Sequence, residues 1–227
     1  LVMRTPMPGF AERIAWLLSN TERPVPIINA GSGKDQHPTQ ALLDIYTLQR
    51  SFTHLGGIEN KSVVFVGDLA RGRTVRSLSC LLTLYPGVKQ YFVAPEALQL
   101  PQDVRDTLDA NGVDYEISHD FEEVIPEADA IYMTRLQDEW DTGGGGSQGT
   151  DTSQYFLRPE HLEKMKQTAV IMHPLPRRNE IDSSIDTDPR AVYWRQVRNG
   201  MWIRTALMAS IFGKVADEIF NFYELNM

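Results

Sequence analysis

An α/β fold on a parallel sheet is predicted by two patterns in the sequence. Short apolar, β-rich runs recur along the chain, and longer stretches with helical periodicity separate them. With 227 residues, 42% hydrophobic and 23% charged, there is ample material for a core. The runs predict strands at residues 26–30, 62–67, 90–94, 113–117, 130–134 and 169–173. Each is a brief apolar or β-branched cluster between turn formers, the length a buried strand needs. Helical patterns fall between them at residues 10–19, 38–52, 73–84, 102–111 and 159–166. A last one, 201–222, has apolar residues on most sides and is expected to pack between layers. Trp16 and Trp202 lie at helical spacing and are expected in the core. The carboxylates are scattered and read as solubilising charge.

Composition removes several function classes. No run approaches the ~18 apolar residues of a membrane-crossing helix. The net charge of −8 argues against a nucleic-acid partner, but it leaves anionic substrates open, because the local field of a cleft decides that. Cys80 is the single cysteine, so no internal disulfide forms and a reducing, cytoplasmic setting is expected. His54, His119 and His161 have no metal-ligand spacing, and neither metal nor cofactor is expected. The opening Leu1-Val2-Met3-Arg4 carries neither an initiator methionine nor a signal peptide, and the expectation is a fragment. Asp141–Gln154, DTGGGGSQGTDTSQ, has no large apolar side chain. It reads as a flexible surface loop or a mobile lid, and its GGGGS string also looks like an engineered linker.

Four clusters carry chemistry. Gly67-Asp68-Leu69-Ala70-Arg71-Gly72-Arg73-Thr74 joins a strand to a helix and nearly matches a phosphate loop, with Arg73 in place of the lysine. Backbone N–H groups and a guanidinium fork suit a phosphate or carboxylate. The missing lysine, and the lack of a clear strand ending in a magnesium-binding aspartate, weigh against nucleotide hydrolysis. A tight structural turn remains the alternative. In Gln36-His37-Pro38-Thr39-Gln40, Pro38 starts a helix and holds His37 at its mouth, with Gln40 on the same side. The positive end of the helix dipole favours a neutral imidazole there, able to polarise a carbonyl. A simple helix cap is the plainer reading. His173-Pro174-Leu175-Pro176-Arg177-Arg178 forms a rigid turn rich in carbonyl acceptors, or merely a stiff crossover. Thr134-Arg135-Leu136-Gln137 ends a strand, with Arg135 at its C-terminal end.

Taken in order and spacing, these clusters resemble the aspartate transcarbamoylases, and the resemblance runs from Val2-Met3-Arg4 to the last helix. The helix-start and proline-turn motifs are shared with the ornithine enzymes, but Pro174-Leu175 and the Gly72-Arg73-Thr74 turn favour the aspartate branch. The resemblance implies a parallel-sheet, three-layer transcarbamoylase fold with two domains, the first incomplete. Residues 1–52 would be the remainder of the carbamoyl phosphate domain and 53–197 the aspartate domain, with 198–227 a helix returning to the first. It implies that Arg4 binds the phosphate of carbamoyl phosphate, that His37 hydrogen-bonds its carbonyl oxygen, and that Gln40 holds the carbamoyl group. Pro174, Leu175 and Pro176 would receive the carbamoyl NH₂, while Arg73 and Arg135, with Gln137 nearby, would grip aspartate.

The implied activity is carbamoyl transfer to L-aspartate in de novo pyrimidine synthesis, by a cytoplasmic homotrimer with shared sites; regulatory or pathway-enzyme partners stay open. The family's Ser-Thr-Arg-Thr segment and lysine loop are not in this sequence. Arg76 stands where a histidine is common, and Trp140 where an arginine often follows. The 227 residues alone are expected to turn over negligibly. The rival reading is a catalytically silent, transcarbamoylase-like subunit with a binding or scaffolding role.

Overall fold

The computed structural model describes residues 1–137 and 151–213. A two-stranded parallel sheet comes first, β1 (Val2–Thr5) beside β2 (Ile28–Ser32), with α1 (Phe10–Ser19) as the crossover. Then follow α2 (Pro38–Ser51), β3 (Ser62–Val66), α3 (Arg73–Leu82), β4 (Lys89–Val93), α4 (Gln102–Ala110) and β5 (Tyr115–Ser118). The single-turn α5 (Phe121–Val124), β6 (Ala130–Met133), β7 (Val170–Met172) and α6 (Tyr193–Ile211) complete the described strands and α-helices.

The last five strands form one parallel sheet in the order β5-β4-β3-β6-β7. The chain builds outward from β3 to β5, then returns to the other side of β3 with β6. At such a reversal the loops leaving neighbouring strands part to opposite faces, and a crevice opens at their C-terminal ends. Both faces of the sheet are covered, as a parallel sheet requires. Val63, Phe65, Phe92 and Tyr132 face one way, against Leu48, Val75, Leu78 and Leu108 of the helices. Val64, Val66, Val93, Ile131 and Met133 face the other, against Phe121, Ile125, Ile181 and Tyr193. Phe65 and Phe92 stack with centroids 5.2 Å apart.

Several expectations change. β1 escaped the sequence reading because it is short, half exposed, and paired only to β2. β2 lies two residues later than expected, in register with β1. Residues 159–163 form a 3₁₀ turn instead of an α-helix, with the His161 ring accepting the Arg158 N–H at 3.0 Å. The last helix begins at Tyr193, eight residues early, and does not lie between layers. Met201, Trp202 and Phe212 are each more than half exposed, as is Trp16.

The inward stripe of α6 is polar: Gln196 reaches Asp44, and Asn199 donates to Thr47 at 3.0 Å. Gly200 completes that stripe, since a Cβ there would sit 3.1 Å from Leu43. Not every carboxylate is solubilising charge, because Asp44, Asp68 and Glu180 are buried. Cys80 is half-buried on α3. Trp140, residues 141–150 of the glycine-rich segment and residues 214–222 of the expected helix lie outside the described residues. The segment's end is a 3₁₀ turn, Ser153–Tyr155, with the Tyr155 hydroxyl donating to the His119 carbonyl at 3.2 Å.

Gly67 marks where β3 and β6 come closest to the crevice. Its φ is +113°, and a Cβ would collide with the Thr134 carbonyl and lie 2.8 Å from its hydroxyl. The glycine of this turn is therefore required by packing, whatever the turn binds. Gly67→Ala is expected to destabilise the fold by roughly 2–4 kcal/mol, combining a left-handed backbone with steric conflict. Urea unfolding of the two proteins measures it.

Candidate active site

All nine residues singled out in the sequence line one cleft of about 470 Å³ at the C-terminal ends of the strands. β1 supplies Arg4, and α2 with its N-cap supplies Gln40 and His37. The β3–α3 turn contributes Arg73, the β6 loop Arg135 and Gln137, and the β7 loop Pro174, Leu175 and Pro176. Thr74, Thr134, His173 and Arg204 complete the lining. Among the described residues, four arginines and no carboxylate line the cleft, in a chain whose net charge is −8. Such a site concentrates small anions.

His37 caps α2, its N–H donating to Ser77 Oγ at 2.9 Å while Ser77 donates to Gln36 at 2.7 Å. This anchors the helix mouth to α3. The imidazole is pushed down to about 4, chiefly by burial and then by Arg73, Arg4 and Arg204. The neutral ring inferred from the dipole is present, and its largest cause is desolvation. Its proton is bound more weakly in the folded than in the unfolded chain. His37 therefore withdraws stability as pH falls from 6.5 toward about 4. Proton NMR of the imidazole is expected to give a midpoint near 4; one near 6.5 would contradict the burial argument.

Arg73 does more than reach into the cleft. Its guanidinium lies over Gly31, within 2.9 Å of where a Cβ would stand, and donates to the Gly33 carbonyl at 3.2 Å. It thus joins the two sheets. Arg135 donates to the Leu136 carbonyl at 2.9 Å. The two arginine loops are tied by Asp68, which accepts from Arg71 Nε at 2.8 Å and from the Gln137 N–H at 2.9 Å.

The proline turn is built from within. His173 Nδ1 accepts the Leu175 N–H at 2.8 Å, which leaves Nε2 to donate to Glu180 at 2.7 Å. Glu180 also accepts the Arg178 N–H at 3.0 Å. Leu175 is held at φ +54°, and the Leu175–Pro176 peptide is cis. Arg177 pairs with Asp186 through Nη1 and Nη2, beside Tyr193. Arg76, also outside the cleft lining, pairs with Asp103.

Arg204 is the lining residue the sequence reading passed over. It follows Gly200 by one turn of α6, and the missing side chain leaves room for its guanidinium. A signal was present in the Asn199-Gly200 pair, an unusual helix interior that the expected helix start at residue 201 left outside the element.

Fold and site together define a parallel α/β protein with a polycationic cleft for small anions at the switch point of its sheet. The family model described as "Aspartate/ornithine carbamoyltransferase, Asp/Orn binding domain" matches residues 59–211, and that of the carbamoyl-P binding domain matches residues 1–50. The chain belongs to the aspartate/ornithine carbamoyltransferase family. It is 47% identical over 184 residues to the chloroplastic aspartate carbamoyltransferase of Arabidopsis thaliana, covering 81% of this chain and 46% of that one. It is 41% identical over 213 residues to the aspartate carbamoyltransferase catalytic subunit of Aliivibrio fischeri strain MJ11, covering 94% and 66%. The aspartate transcarbamoylase of Trypanosoma cruzi, solved with carbamoyl phosphate and aspartate, superposes with a TM-score of 0.79 at 37% identity, covering 92% of this chain and 65% of that one. The chain spans about half the length of the curated plant relatives it matches.

Proposed function

We propose that this protein transfers the carbamoyl group of carbamoyl phosphate to L-aspartate, giving N-carbamoyl-L-aspartate and phosphate in de novo pyrimidine synthesis. One observation carries the reading: four arginines, an uncharged histidine and a carbonyl-rich turn share a cleft that no carboxylate lines among the described residues. Arg4 meets the phosphate, His37 donates to the carbamoyl oxygen, and Gln40 with the Pro174-Leu175-Pro176 turn receives the NH₂. Arg73 and Arg135, with Gln137, take the two carboxylates of aspartate. The neutral amine attacks the carbamoyl carbon, the C–O bond to phosphate breaks, and the departing phosphate accepts the amine proton. Preorganised donors and alignment supply the acceleration. In the same reading residues 1–52 and the last helix serve carbamoyl phosphate, residues 53–197 serve aspartate, and the working unit is a cytoplasmic homotrimer with shared sites.

The test is product formation by the native protein with aspartate or ornithine as acceptor. An ornithine ammonium beside either arginine meets like charge, so aspartate is expected to be favoured at least ~100-fold in kcat/KM. Equal carbamoylation of both acceptors would overturn the choice of substrate. No product from either would favour the silent-subunit alternative.

A further inference from the structure

Directly beneath the cleft lies a fully buried carboxylate, Asp44, on the turn of α2 that follows His37 and Gln40. Three side chains from three elements donate to it. Gln40 Nε2 reaches Oδ1 at 2.9 Å, Gln196 Nε2 of α6 reaches the same oxygen at 2.6 Å, and the Tyr132 hydroxyl of β6 reaches Oδ2 at 2.7 Å. We propose that Asp44 is a positioning residue for the carbamoyl group, fixing the amide of Gln40 and, through Gln196, the proline turn. The inference rests on the reaction proposed above.

A glutamine amide turned by 180° exchanges donor for acceptor. With Nε2 committed to Asp44, Gln40 keeps Oε1 as the acceptor available to a carbamoyl NH₂. Gln196 is held at both ends, since its Oε1 accepts the His173 N–H at 2.9 Å. His173 in turn holds Leu175 through Nδ1. Both acceptors assigned to the carbamoyl NH₂, the Gln40 side chain and the turn carbonyls, are thus oriented from one carboxylate. Asp44 makes no contact with substrate in this scheme; it acts through others.

The groups facing Asp44 are Gln40 from its own helix, Tyr132 from β6, and Gln196 and Arg204 from α6. Burial outweighs their hydrogen bonds and holds the carboxyl up at about 7. Above that value a negative charge sits under an anion site, and below it the charge is gone. Asparagine reproduces the neutral geometry, with Oδ1 accepting from both glutamines and Nδ2 turned to the Tyr132 oxygen. Alanine leaves all three donors without an acceptor.

The experiment combines calorimetric titration of carbamoyl phosphate with steady-state kinetics on the native protein and its variants. Asp44→Ala is expected to weaken carbamoyl phosphate binding about 10–100-fold while the KM for aspartate stays within about threefold. Asp44→Asn should restore binding to within about threefold of wild type at pH 7. Between pH 6 and 8.5 the wild-type affinity should fall relative to Asp44→Asn with a midpoint near 7, a comparison that cancels the ligand's own titration. If Asp44→Ala does not fold, that comparison decides alone. A folded Asp44→Ala with wild-type affinity, an asparagine variant as weak as alanine, or a ratio flat with pH would each overturn the inference. Should these binding results hold while wild type forms no carbamoyl aspartate, the reaction fails and the positioning stands. Wild type that binds no carbamoyl phosphate overturns both.

Discussion

His37→Ala is expected to slow carbamoyl transfer about 10²–10³-fold, the usual loss for one donor to a developing oxyanion, with little change in aspartate saturation. The residue sits where a donor must be rigid. Its backbone is fixed to Ser77, Pro38 sets the helix start, and the ring is largely buried. Glutamine in its place would offer an N–H from a longer, less constrained chain and should recover only part of the rate. The imidazole acts as a neutral donor, so no acid limb from His37 is expected in the kcat profile between pH 5 and 8, its own value being about 4. A limb near 6.5 that disappears in His37→Ala would show instead that the ring works as a general base, and the assigned role would be lost. Stopped-time product assays across that range supply the measurement.

Arg135→Ala should raise the KM for aspartate about 100-fold or more while carbamoyl phosphate binds as before. Losing two charge-assisted hydrogen bonds, each worth ~1.5–3 kcal/mol, predicts a factor of that order. Arg135 is the cleaner probe of the two arginines. Arg73 lies on Gly31 and bonds the Gly33 carbonyl, so its removal disturbs the join between sheets and the environment of His37 together. Arg73→Ala should therefore affect both substrates, whereas Arg135→Ala affects one. Calorimetry with each substrate separates the outcomes, and an Arg135 variant that loses carbamoyl phosphate would reverse the assignment.

The sequence was most legible where local chemistry and tertiary role coincide. β3, β4 and β6 are short apolar runs and appear as such, and the segments after β3 and β6 carry Arg73 and Arg135, which reach the cleft. Three motifs converge because they follow β3, β6 and β7 at one end of the large sheet, and the fourth joins them because the mouth of α2 is bonded to α3. What escaped was polar and inward-facing. Asp44, Gln196 and Asn199 satisfy one another across α2 and α6, so the stripe that buries α6 has no apolar period to detect. Counting hydrophobic residues instead pointed to Trp202, which lies exposed. Asp68 and Glu180 were hidden for the same reason, as a carboxylate in a loop carries no local mark of burial. Arg204 joins the cleft only through the crossing of two helices far apart in the chain.

That crossing bears on how the protein is made. Asp44 and Gln196 are 152 residues apart, as are Thr47 and Asn199. A ribosome delivers α2 and all five strands of the large sheet before α6 emerges. Until then Asp44 has the Gln40 and Tyr132 donors but not the third, the amide that anchors His173 is missing, and no Arg204 lines the cleft. The nascent chain can thus complete its sheet early while binding competence waits for α6. Translation arrested just after β7 should yield a protein with a protease-resistant sheet and no carbamoyl phosphate affinity, separating the moment of folding from the moment of function.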